Sequence, residues 1–406
     1  MSSLEEKILN TFNLYTTDFE HNENDLQWLL KNPEIFTSSY QHLNSFGPNR
    51  LIRFANRYIP ICGIFFKKKF FKHVKSTIQS NYFNPIELMG YPLDQNNLNE
   101  FYSTFYSLHH NHWSAFRKWD FAYYFSFLQQ CCNELFQNNQ LPIDLYHTVK
   151  QEQNKQFSNY YNVIREAFFE NNLSFSYLCY LVVRANWVDS YEVTANDFIY
   201  NFSKEMNEVL DNQEWVNEFI KSQEKFNFYA LHNAIKGAPA TFLYECDNNG
   251  EIYLDLILIE YILKNNHTVY LCTKLAPILN DVLTSDIQEL FSTSHLNHFD
   301  EYVKSGKLNF ISNNSKDAIT LRNKLPKTYQ DIYSKSNYVI LKGQGHFESY
   351  PIINTTRKVN NKLIYNTEHF YLFGLKSSFT QTSLNKLGCH LRRQSLVLAR
   401  SYEFIT

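Results

Sequence analysis

Apolar positions in the first half of the chain recur at helical spacing. Leu26, Leu29 and Leu30 form one stripe, Leu51, Phe54 and Tyr58 a second, and Phe121, Tyr124, Phe125 and Leu128 a third. Tyr161, Ile164, Ala167 and Phe168, then Phe175, Leu178, Leu181 and Val182, extend a pattern that puts apolar residues on one face of a helix. Turn-forming clusters at Asn44–Asn49, Pro92–Asn97 and Asn138–Pro142 separate the stripes. Near residue 235 the pattern changes. Ala240–Cys246, His267–Thr273, Leu308–Ile311 and Tyr338–Leu341 are short apolar runs suited to buried strands. Glu251–Lys264 (EIYLDLILIEYILK) is too long and continuous for one strand and predicts a helix buried on most sides. Thr284 or Ser285 is placed to cap a helix through Leu290, with Asp286 in its first turn. Strand, helix, strand, helix in this order predicts an α/β fold with a parallel sheet and right-handed crossovers. The chain divides into a mostly helical region, 1–220, and an α/β domain, 221–406.

Charge and composition narrow the partners. Lys and Arg number 38 and Asp and Glu 40, a formal charge of −2, so bulk attraction to nucleic acid is not expected. The one basic run, Phe65–Lys75, reads as a helix with a solvated charged face. Ten glycines in 406 residues are well under the roughly 7% usual in globular proteins, which excludes collagen-like and glycine-rich architectures. The longest apolar stretch, Tyr58–Phe66, runs into Lys67 and is far short of the ~18 residues of a membrane span. The start, MSSLEEKILNTFNLY, lacks the pattern of a secretory signal. Seven scattered cysteines without a CxxC pair suit a reducing cytoplasm. Cys246 reads as a small buried apolar residue, and His109, His110 and His112 as a polar turn rather than a zinc site.

Open parallel sheets carry their sites where strands end and loops lead into helices. Three such loops are rich in chemistry here: Asp247-Asn248-Asn249-Gly250-Glu251, the segment through Asn280-Asp281, and Lys342-Gly343-Gln344-Gly345-His346. Two carboxylates with an amide oxygen form a hard oxygen site suited to Mg²⁺ or Mn²⁺. A nearby lysine adds a point charge for phosphate, and the glycines let backbone approach closely. Together these point to metal-assisted phosphoryl chemistry. Asp-Asn-Asn-Gly is also a good hairpin turn; the length of the apolar segment after it favours the helix.

Asp247–Asp255 (DNNGEIYLD) resembles the D-N-x-G-E-x-x-x-D signature of the damage-control metal-dependent phosphatases, the family of domain of unknown function 89. Asn280, Asp281 and Asp286 are similar to its next motif, and Lys342–Glu348 (KGQGHFE) to its K-G-x-x-N-[YF]-E loop. Asn186 and Asp189 resemble its G-N-x-x-D element, and Lys376 stands where the family has a late lysine. The resemblance implies a three-layer α/β/α sandwich with a mostly parallel sheet, preceded by a helical N-terminal region. It implies a divalent metal (Mn²⁺, Co²⁺, Ni²⁺ or Mg²⁺) held by Asp247, Asn248 and Asp281. The catalytic set would be Asp247, Asp281, Glu251 and Asp255. Substrate contacts would come from Asn186, Asp189, Asn280, Lys342, Gly343, Gly345, His346 and Lys376, with Lys342 and Lys376 on the phosphate. The expected substrate is a small phosphorylated metabolite, a sugar phosphate or a phosphopantetheine-like compound. The chain departs from the family at Asn249 (usually Ala), Ala185 (Gly), His346 (Asn) and Ser377-Ser378 after Lys376.

Two other readings follow from the same residues. One branch of this family has been assigned S-adenosylmethionine-dependent carboxyl methyl transfer, which no glycine-rich nucleotide loop supports here. His346 and the unmatched N-terminal half suit a non-catalytic interaction protein on the same fold.

Overall fold

The computed structural model describes residues 4–14, 95–112, 121–138, 146–170, 173–189, 213–313, 325–349, 356–359, 362–365, 367–376 and 389–400, with a few single positions between them. The described part of the N-terminal region is helical: α1 (residues 4–14), α2 (Gln95–Asn111), α3 (Phe121–Asn138), α4 (His147–Phe169), α5 (Phe175–Ala185), α6 (Gln213–Ser222) and α7 (Phe228–Lys236). The stripes ending at Tyr58 and the basic run Phe65–Lys75 lie outside the described residues.

Next come β1 (Thr241–Glu245), α8 (Ile252–Lys264), β2 (Thr268–Thr273), α9 (Thr284–Phe291), α10 (Asp300–Lys304) and β3 (Leu308–Ser312). The chain continues through α11 (Lys327–Lys335), β4 (Tyr338–Lys342), α12 (Gln344–Ser349), the hairpin β5 (Thr356–Val359) and β6 (Lys362–Tyr365), β7 (Glu368–Gly374) and β8 (Leu396–Arg400). Six strands form one sheet in the order β3-β2-β1-β4-β7-β8, parallel except for β8 against β7. Each expected strand is present within a residue or two, and the Asp247–Gly250 segment leads into α8 rather than a hairpin.

Alternation along the strands sets up the layers. Phe242 and Tyr244 of β1 pack with α4, α5, α7 and α8, while Leu243 packs on the other face with Tyr329 and Tyr333 of α11 and Phe347 of α12. Helix α8 is buried along almost its whole length because α4 and α5 cover the side turned from the sheet. Each apolar side chain it buries contributes roughly 1.5–3 kcal/mol. Burial against helices as well as sheet also explains why its sequence shows no polar face.

Two local expectations are corrected. His109 and His110 lie in the last turn of α2, not in a loop; His109 is buried, and its Nδ1–H donates to Phe105 O at 2.7 Å. Helix α9 is not capped by Thr284 or Ser285: Leu283 holds the cap position, and its N–H donates to Asp286 Oδ2 at 3.0 Å. Thr284 is occupied elsewhere, with its hydroxyl 2.9 Å from that of Thr273.

Candidate active site

β1 is followed in sequence by β2 on one side of it and by β4 on the other, so the topology reverses between β1 and β4. Such a switch point opens a crevice at the carboxyl ends of the strands. Asp247 follows β1 and Gly343 follows β4, and the two meet there. Gly343 has φ +89°, and a β-carbon on it would lie 2.0 Å from Asp247 Oδ2. Only glycine fits both the backbone conformation and the space.

A miniature ladder joins the first two loops. Asn248 and Asp281 form an antiparallel bridge, Val282 N–H donates to Asp247 O at 2.8 Å, and Asn249 N–H donates to Asn280 O at 2.9 Å. Asn249 Nδ2 also donates to Asn280 O, Asp281 O and Asp286 Oδ2 at 3.1, 3.2 and 2.9 Å. The departure from the family's alanine is thus a buried polar strut.

Asn186, in the 3-10 turn Asn186–Asp189 after α5, is fully buried. Its Nδ2 donates to Asp247 Oδ2 at 2.7 Å and to Glu251 Oε1 at 3.0 Å, while Gly374 N–H donates to its Oδ1 at 3.2 Å. One amide therefore connects β1's loop, the start of α8 and the end of β7. The neighbouring Trp187 packs its indole on Gly374, where a β-carbon would lie 2.2 Å from Nε1. Asn248 Nδ2 donates to Asp247 Oδ2 and Glu251 Oε1, both at 2.9 Å. The two carboxylates fix the amide's orientation, leaving its oxygen as the end suited to a cation.

Lys342 lies beneath this layer with 0% exposure. Its Nζ is 2.6 Å from Glu251 Oε2 and 2.8 Å from Asp255 Oδ1. Burial works against its charge, but Asp255 and Glu251, by charge and hydrogen bond, outweigh burial and hold the ammonium above its ordinary value. Burial is the largest influence on the Glu251 carboxyl and raises it, but Lys342, together with Lys376 and Asn248, outweighs burial and the net shift is downward. Asp255 goes the other way, pushed up to about 6 by burial despite Lys342, with Glu251 adding to the rise. Cys246 is buried and its thiol is raised well above the ordinary value, chiefly by burial, in keeping with a packing role.

The structure therefore gathers Asn186, Asp247, Asn248, Glu251, Asp255, Asn280, Asp281, Lys342, Gly343 and Lys376 at one end of the sheet. Lys376 is half-buried, and its N–H donates to Gln344 Oε1 at 2.8 Å. Asp189 closes the turn after Asn186, and its side chain lies outside the described residues. Gly345 is exposed, with open space where a β-carbon would stand. His346 is buried behind the loop, with Nδ1 on Lys342 O and Nε2 3.8 Å from Glu245 Oε2.

Sequence reasoning missed Lys274, buried at the end of β2 with Nζ 3.9 Å from Asp281 Oδ2. Its place just after a predicted strand could have marked it. It also missed Gln153 and Asn154 of α4, which bond to Asn280 and Gly250 and lie in no motif. Among the described residues no three His, Cys, Asp or Glu side chains group as a metal-binding set. The set that fits a hard divalent cation is mixed: the half-buried carboxylates of Asp247 and Asp281 with the amide oxygen of Asn248.

This architecture, with acidic loops at the switch point of a mostly parallel sheet and helices on both faces, defines a class, and the sequence falls within it. Residues 41–386 match the damage-control phosphatase ARMT1-like domain, and the chain belongs to that family. Among curated proteins it is similar to the damage-control phosphatase PH1575 of Pyrococcus horikoshii, at 31% identity over 163 residues. That match covers 40% of this chain and half the length of PH1575. The crystal structure of PH1575, a DUF89 family protein, superimposes with a TM-score of 0.58 at 17% identity, covering 81% of this chain and 97% of that one. The likeness is one of fold.

Proposed function

We propose that the protein is a metal-dependent phosphatase that hydrolyses a small phosphorylated metabolite, with a sugar phosphate or a phosphopantetheine-like compound as the substrate class. The observation that carries this reading is the meeting of Asp247, Asn248 and Asp281 at the switch point, directly above the buried Lys342 ion cluster. Asp247, Asn248 and Asp281 would hold the cation, for which Mn²⁺, Co²⁺, Ni²⁺ and Mg²⁺ all suit the oxygen donors. When bound, such a cation supplies Lewis-acid polarisation of a phosphoryl oxygen and acidifies water.

The rest is the work of the chain's own side chains. Asn186 and Asn248 both donate to Asp247 Oδ2, so that carboxylate is oriented before any ligand arrives. Glu251 stays ionised, because Lys342 holds its carboxyl low. Asp255, pushed up to about 6, is the carboxyl of this cluster able to hold a proton close to neutrality. Lys376 is half-buried, and its charge reaches the cluster by lowering the Glu251 carboxyl, which suits it to a phosphate dianion. Gly343 brings the backbone of the β4 loop directly against the Asp247 carboxylate.

Among the described residues no helix is long and apolar enough to cross a membrane. The described cysteines are free and buried, which supports a reducing, cytoplasmic setting. The test is release of phosphate from an aryl phosphate and from a broad panel of phosphorylated metabolites with each metal in turn. Turnover that requires metal and is abolished by Asp247→Ala or Asp281→Ala is expected. Metal-loaded protein inert toward the whole panel overturns the reading.

A further inference from the structure

Gln153 and Asn154 are consecutive residues of α4, and each grips a different loop of the site. Gln153 Oε1 accepts from Asn280 Nδ2 at 2.6 Å, beside Asp281 in the loop after β2. Asn154 Oδ1 accepts from Gly250 N–H at 2.7 Å, and its Nδ2 donates to Asn249 Oδ1 at 2.9 Å, in the loop after β1. Consecutive helical residues point about 100° apart, so one turn of a stiff helix straddles the seam between the loops.

The contact is close. Gln153 is 4% exposed. Gly250 has φ +78°, and a β-carbon there would stand 3.0 Å from Phe157 Cδ2 and 3.1 Å from Gln153 Cβ, so α4 could not approach any other residue this closely. Asn280 is held through its nitrogen, which reaches Gln153 and, at 3.4 Å, Asn249 O; its buried Oδ1 has no partner among the described residues. One turn earlier on α4, Lys150 Nζ lies 3.4 Å from Asp286 Oδ2, the carboxylate that also receives Asn249. The helix thus meets both loops and the start of α9 along one short edge.

We propose that Gln153 and Asn154 are positioning residues that fix the spacing between the Asp247–Asn248 loop and the Asp281 loop, so that α4 sets the affinity of the site for its divalent cation. The inference rests on the metal-dependent reading above. Metal affinity falls with the fraction of time the donors spend out of register, and a helix bonded to both loops restricts that motion. Gln153 is buried and Asn154 half-buried, and truncating either leaves the polar groups it holds in the two loops without that partner.

The test is Mn²⁺ binding followed by electron paramagnetic resonance on the full chain, with melting in metal-free buffer measured alongside. Gln153→Ala and Asn154→Ala should each raise the Kd for Mn²⁺, and the double variant should raise it about 10–100-fold. Gln153→Glu keeps an oxygen for Asn280 and should restore binding relative to Gln153→Ala. A purely structural role would lower the melting temperature and leave the Kd unchanged. A folded double variant binding Mn²⁺ within about twofold of wild type overturns the proposal. Should the double variant not fold, Asn154→Ala alone, a substitution a helix accepts, carries the same comparison and the same criterion. Wild-type protein that takes up no Mn²⁺ overturns both this inference and the metal-dependent reading. Wild-type binding with unaltered variants overturns this inference alone.

Discussion

The carboxylate of Asp247 occupies the space that a β-carbon at Gly343 would need: such an atom would lie 2.0 Å from Oδ2. Strand β4 therefore delivers its loop to the site only as glycine. Gly343→Ala adds strain at φ +89° to this collision, and should cost about 1–3 kcal/mol in stability along with metal binding. Gly345→Ala, in open space two residues on, should stay within about 0.5 kcal/mol of wild type. Urea unfolding of the two variants checks the contrast.

Lys342 neutralises two buried carboxylates at once. Lys342→Met leaves Glu251 and Asp255 uncompensated and should destabilise the protein by about 3–5 kcal/mol. Without the ammonium both carboxyls are raised, so the folded variant binds protons more tightly than the unfolded chain does. Its deficit should shrink as the pH is lowered from 8 toward 5, as urea midpoints at the two pH values would show.

Glu205 accepts from Arg184 Nε on both carboxylate oxygens at 3.1 Å and from the Tyr180 hydroxyl, yet burial pushes it up to about 7, with a smaller contribution from Glu208. Its folded value exceeds the ordinary 4.5, so between those two values the folded protein holds a proton the unfolded chain has lost. Stability should therefore fall as pH rises from about 4.5 through about 7. Glu205→Gln, which cannot titrate, should flatten that slope in melting curves taken across the same range.

Asn186→Ala removes the donor shared by Asp247 and Glu251 and leaves Gly374 N–H unpaired. A loss of about 1–3 kcal/mol is expected, because buried polar groups are left unsatisfied. Chemical denaturation of the metal-free protein measures it directly.

Chelation and metal addition should move the melting temperature through mass action. At a metal concentration a hundred times Kd, binding adds about 3 kcal/mol to the folded state. Differential scanning calorimetry with and without Mn²⁺ should show the upward shift in wild type and none in Asp247→Ala.

The strands and α8 were legible because their apolar runs are buried on both faces, and such runs differ from helical stripes in length and continuity. Asp247–Gly250 was ambiguous by itself: the same residues make hairpin turns, and what decided the matter was the unbroken apolar stretch from Ile252 onward. The His109 cluster misled because three histidines look polar, whereas His109 continues the buried side of α2 with Phe101 and Phe105 and bonds within its own helix. Thr284 had the chemistry of a cap, but a hydroxyl on β2 claimed it. Gln153 and Asn154 gave no signal. In a stretch reading Gln-Glu-Gln-Asn-Lys-Gln they look like a solvated face, and their partners lie 127 and 95 residues further along the chain.

Trp187 is one residue from the amide that unites Asp247, Glu251 and Gly374, and it is only 6% exposed, while Trp215 on α6 is 41% exposed. An indole shut away from water emits at shorter wavelength than one that is wet. The packing of Trp187 on Gly374 therefore places a water-shielded indole beside the candidate site, set apart in environment from the wetter Trp215.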